Sequence, residues 1–195
     1  MCHNESMEET KARKNLLLIA WLIFIAEFLG IIGYYWLFDG YSGEASLTIS
    51  RYVGLNPVTS IVFCICNLAI IVLMAYHLMT RSKAQGFIWR FLTYCFIAAF
   101  MAVSICPHTP DGGTSSDIHQ FFAGIMFVIM ALTSLLNIFS SSAKNKARLI
   151  YAVTFTIYAL FFIVCDLFKV QWFMNGIFWY ETAYLFGYFS LLMLS

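Results

Sequence analysis

Apolar residues gather along this chain into six long stretches, 15–38, 57–79, 87–105, 118–139, 149–168 and 172–194, separated by short polar segments. Each is about as long as the roughly 20 residues a helix needs to cross a hydrocarbon core about 30 Å thick. The pattern predicts an all-α polytopic integral membrane protein, a six-transmembrane-helix bundle at 15–195 behind a short tail at 1–14. Composition agrees: 62% hydrophobic and 11% charged residues lie far from a soluble globule of this length.

Charge sets the expected orientation, because short loops rich in Lys and Arg stay cytoplasmic. Of the 11 basic residues, all but Arg51 and Lys169 fall on the N-terminal side of the implied zigzag: Lys11, Arg13, Lys14, Arg81, Lys83, Arg90, Lys144, Lys146 and Arg148. Both termini are therefore expected inside a cell membrane. The first stretch is too long, and too closely followed by others, for a cleaved signal peptide, so it is expected to remain as an anchor. Arg90 is read as snorkelling to the inner interface, and His77 as an interfacial hydrogen-bonder.

The two longer loops, 39–56 and 106–117, then face outward. Asn56 followed by Pro57 reads as an N-cap and first-turn proline, and Asp117 is placed to cap the fourth helix. Trp36, Trp172 and Trp179 cluster in the outer halves, as an aromatic belt would. Six cysteines make no disulfide framework here. Cys64, Cys66 and Cys95 lie inside spans and Cys2 in a reducing tail, while a bridge between Cys106 and Cys165 is conceivable.

Charges inside spans are costly, which singles out Glu27 and Glu181. At about 1.5 Å rise per residue they fall at similar depth, together with Asn67. Tyr34 stands at i+7 from Glu27, and Tyr184 and Tyr188 at i+3 and i+7 from Glu181, so phenols are candidate donors to the carboxylates. The bland alternative is a pair of protonated acids that merely hold helices together.

The loop Cys106-Pro-His-Thr-Pro-Asp-Gly-Gly-Thr-Ser-Ser-Asp-Ile-His119 holds His108, Asp111, Asp117 and His119, enough donors for a divalent metal, although the spacing matches no tight zinc signature. His119 is the leading functional candidate, where Ser50, Arg51 or Asp166 could meet it. A Ser50–His119–Asp166 hydrolytic triad can be written, but nothing in the spacing favours it.

Three stretches resemble the domain of unknown function 998 family, prokaryotic six-helix membrane proteins distantly similar to the damage-regulated autophagy modulator group. They are Ser46-Leu-Thr-Ile-Ser50 before Leu55-Asn56-Pro57, Cys106-Pro107 with His119, and Gly176 to Glu181. Cys106 stands where the family often has Phe, and Thr182 follows Glu181 where Arg is usual. The resemblance implies six helices in a prokaryotic plasma membrane, directs attention to Ser50, His119 and Glu181, and supplies no established activity.

Three functions follow in order. The first is a non-enzymatic protein that binds a lipid or small apolar molecule in a bundle cavity open to the outer face, through Glu27, Asn67, Glu181, Tyr184, Ser50, Arg51 and His119. The second is an intramembrane metal-assisted lipid hydrolase. The third is a small proton- or cation-coupled transporter, which the lack of an inverted repeat or broken helix disfavours. Membrane lipids are the expected partners, and nucleic acid is not.

Overall fold

The computed structural model describes residues 7–38, 47–106, 108–109, 112–140 and 146–194, all helical or in short connections. Five long helices, α1 (Met7–Phe38), α3 (Pro57–Gln85), α4 (Phe87–Ile105), α5 (Thr114–Ser140) and α6 (Lys146–Leu167), are joined by two short ones, α2 (Ile49–Gly54) and α7 (Gln171–Met174), and by α8 (Ile177–Met193). Among the described residues, those five are long and apolar enough to cross a membrane. The expected sixth stretch is divided: α7 stops at Asn175–Gly176 and a 17-residue α8 follows. The first helix extends past its expected start, running from Met7 straight through the basic cluster.

Each long helix packs on the next, α1 on α3, α3 on α4, α4 on α5, α5 on α6 and α6 on α8, while α8 returns to α1 and closes the ring. Short connections dictate this order. A single residue, Gly86, joins α3 to α4 at φ 100°, a backbone that L side chains rarely adopt. At the start of α3 the expected cap forms: the Asn56 Oδ1 accepts from the Val58 N–H at 2.8 Å.

The bundle is apolar outside and buries a few polar side chains within a hydrophobic core. Leu29, Ile65, Val72, Phe139 and Ile157 are exposed, whereas Glu27, Asn67, His119, Ser134, Asn137 and Glu181 are buried. Only 28–39% of each spanning segment is buried, so most of its apolar surface needs hydrocarbon around it. The chain is a membrane-embedded helical protein.

Small side chains and hydroxyls set the helix contacts. The Ser134 and Thr156 hydroxyls lie 2.7 Å apart across α5 and α6. Tyr151 donates to the Gly187 carbonyl of α8 at 3.1 Å. A second, smaller core forms at the α2 end, where Ile49, Tyr52 and Val53 turn inward onto Ile31, Tyr35 and Phe178. There Tyr52 meets Phe178 edge-on at 5.5 Å, and Trp36 meets Trp179 at 5.8 Å.

Candidate functional site

A cavity of about 60 Å³ occupies the middle of the ring beneath α2. At roughly 10–15 Å³ for each water, it has room for about four to six waters. Four of the long helices and α8 contribute to its wall: Phe24 and Phe28 from α1, Phe63 from α3, Phe96 and Phe100 from α4, Met126 from α5 and Phe189 from α8 are typical. Ile49 and Ser50 of α2 close it above.

Five of the residues singled out from the sequence line this one space: Glu27, Asn67, Glu181, Ser50 and His119. Each is tied differently. Asn67 sits on the face of α3 that meets α1, so its Nδ2 donates to the Glu27 Oε1 at 3.0 Å and also to the Phe63 carbonyl at 3.0 Å. The other carboxyl oxygen of Glu27, Oε2, is buried with no hydrogen-bond partner among the described residues. An unpaired oxygen of that kind costs about 1–3 kcal/mol wherever no water or ligand reaches it.

Glu181 does other work. Its Oε2 accepts the backbone N–H of Ile49, the first residue of α2, at 2.7 Å. Thr48 caps the same helix end, its Oγ1 accepting the Arg51 N–H at 3.3 Å and lying 3.1 Å from the Ser50 hydroxyl. The carboxyl group therefore holds in place the segment that roofs the cavity.

His119 is 2% exposed, and its Nδ1 donates to the carbonyls of Cys106, at 2.7 Å, and Val103, at 3.1 Å. Those carbonyls belong to the last turn of α4, where helical partners run out, so the imidazole satisfies acceptors that would otherwise be orphaned. With Nδ1–H so engaged, the neutral ring carries its lone pair on Nε2. The ring of His108 packs edge-on against it at 5.8 Å. Burial, the neighbouring His119 and the Arg51 guanidinium together hold His108 below the ordinary histidine range.

Several expectations are corrected. Tyr184 does not serve Glu181: its hydroxyl donates to the Phe127 carbonyl at 2.8 Å, and Tyr188 accepts from Thr133 at 3.2 Å. A phenol buried against a neighbouring helix finds a backbone acceptor closer than the carboxylate on its own helix. Tyr34 is 40% exposed and packs edge-on to Tyr35, away from Glu27. Arg51 is exposed, outside the cavity wall. Asp117 is exposed within the first turn of α5, which begins four residues earlier than expected, at Thr114. The triad has no basis, because carbonyls hold the His119 Nδ1 and Asp166 pairs with Lys169 at 2.8 Å. Cys106 and Cys165 are both free thiols.

Asp111 lies outside the described residues, and among those described no three His, Cys, Asp or Glu side chains group closely enough to hold an ion.

Two features escaped the sequence reading. One is a polar layer farther down the bundle, where Asn137 of α5 accepts from Arg148 of α6 and donates to the Thr133 carbonyl. The other is Gly54, where α2 ends against the second loop: a Cβ there would run into the His108 carbonyl. Nothing in the local sequence signals a contact between backbones 54 residues apart. No family model, curated protein or solved structure matches the chain.

Proposed function

We propose that this chain is a six-span membrane protein, with both termini cytoplasmic, that binds a lipid or small apolar molecule in its central cavity. The observation that carries the reading is the wall of that cavity: aromatic and aliphatic side chains from α1, α3, α4, α5 and α8, interrupted by Glu27, Asn67, Glu181, Ser50 and His119. Apolar walls with a few convergent polar groups are the usual form of a small-molecule site. α8 supplies the sixth crossing. Its 17 residues span about 25 Å at 1.5 Å each, and α7 extends the apolar surface beyond them. Orientation rests on the basic residues at the starts of α1, α4 and α6, with the α2 end facing outward.

The test is to purify the protein in lipid nanodiscs and identify co-purifying apolar molecules by mass spectrometry, beside Ala123→Trp, which fills the cavity from α5. A small apolar molecule is expected with the native chain and not with the variant, both verified as folded by thermal unfolding. Identical extracts from the two proteins would remove the reading.

A further inference from the structure

The polar part of the cavity is one-sided. Two carboxyl groups line it, Glu27 and Glu181, and among the described residues no Lys or Arg does. The donors that face the carboxyls are already committed: Asn67 Nδ2 to Glu27 Oε1, and the Ile49 N–H to Glu181 Oε2. What is left over accepts. Glu27 Oε2 has no partner among the described residues, and the His119 Nε2 holds a lone pair once Nδ1–H is given to Cys106 and Val103.

An anionic head group has nowhere to go in such a place. A fatty acid or a phosphate needs several donors or a positive charge, and among the described residues no cationic side chain lines this space. A head group that donates is matched on every count. It would satisfy the orphaned oxygen, and if cationic it would pair with the acid in a charge-assisted bond, the stronger kind. The small volume, about 60 Å³, takes the head and the first carbons of one chain.

Resting on the cavity reading above, we propose that the ligand is a single-chain amphiphile with a primary amine head, whose ammonium group binds at Glu27 with Glu181 and His119 beside it, and whose chain lies among Phe24, Phe96 and Met126. Glu27 is the recognition residue. Glu181 acts chiefly by holding α2 over the site.

The experiment measures binding of dodecylammonium, dodecanol and dodecanoate to the protein in phosphatidylcholine nanodiscs, by calorimetry against empty nanodiscs and against Ala123→Trp. The three probes share a chain and differ in the head, so the comparison isolates the head group without any variant. Dodecylammonium is expected to bind the native protein at least about tenfold more tightly than dodecanoate, the scale of one charge-assisted hydrogen bond. Glu27→Gln is expected to reduce that preference to within about threefold while leaving dodecanol little changed, since the amide keeps an acceptor and loses the charge. If dodecanoate binds as tightly as dodecylammonium, or if Glu27→Gln folds and leaves the preference intact, the amine assignment is wrong while the cavity reading stands. If none of the three binds the native protein more tightly than Ala123→Trp, the cavity reading itself falls. Should Glu27→Gln fail to fold, the comparison of probes on the native chain decides.

Discussion

His119 illustrates how one side chain can face both a site and a helix end. Its Nδ1 is shared between the Val103 and Cys106 carbonyls at the C-terminal end of α4. His119→Ala is therefore expected to destabilise the protein by about 1–3 kcal/mol, the cost of leaving buried acceptors unsatisfied, read by thermal or denaturant unfolding in detergent. A change below about 0.5 kcal/mol, within the range of an ordinary surface substitution, would show that the latch contributes nothing. Its neighbour His108 gives a pH signature whose sign is fixed. The folded protein holds His108 below its ordinary range, through burial first and then through His119 and Arg51. The unfolded chain takes up that proton near pH 6.5 and the folded chain only at lower pH, so stability falls as pH drops below about 6.5. The unfolding midpoint should decline between about pH 7 and pH 5.5, and His108→Gln should flatten that decline; equal slopes in both proteins would contradict the assignment. Gly54 is the third such residue. Because the obstacle to a Cβ is backbone and not a movable side chain, Gly54→Ala is expected to displace α2 from the 108–109 segment. Greater protease sensitivity at 47–56, with little change in helical content, is the expected readout.

At the scale of elements, α2 is the piece that turns an open bundle into an enclosed site. It is six residues long, too short to be stable alone, and is kept by what surrounds it: Glu181 at its first N–H, Thr48 at its cap, and Tyr52 buried against Tyr35 and Phe178. Truncating a buried large aromatic costs roughly 3–5 kcal/mol. Much of α2's docking rests on Tyr52, so Tyr52→Ala is expected to release α2 while the long helices persist. Hydrogen exchange of the 49–54 amides checks this; unchanged protection would mean that the hydrogen bonds alone suffice. The α5–α6 contact gives a second test. A double-mutant cycle between Ser134→Ala and Thr156→Val should show coupling of about 0.6 kcal/mol, the average for a hydrogen bond between membrane helices.

At the scale of the molecule, the ring of long helices places acids, amide and imidazole around a common space and turns aliphatic faces outward. The proposed orientation puts Thr114 outside and Lys146 inside. Both positions are exposed, at the starts of consecutive helices. In a cysteine-free background, Thr114→Cys is expected to react with an impermeant maleimide on intact cells, and Lys146→Cys only after permeabilisation. The reverse pattern would invert the topology.

The apolar stretches alone determined the helical class and five of the crossing segments, because a hydrocarbon core demands about 20 apolar residues in a row whatever the helices do to one another. The cost of burying charge likewise marked Glu27 and Glu181 before any fold was known, and the similar depths of Asn67 and the two acids foreshadowed a shared site. Partners were another matter. Helical spacing pairs Glu181 with Tyr184, yet the tyrosine hydroxyl reaches Phe127 on α5 while the carboxyl reaches Ile49, 132 residues away. Which group meets which depends on the rotation of each helix in the ring, and a side chain on its own helix competes with every neighbour that packing brings closer. For the same reason the roofing role of α2, the demand for glycine at position 54 and the polar layer around Asn137 came only with tertiary structure: each is a meeting of different elements, and residue spacing along one helix carries no information about the next.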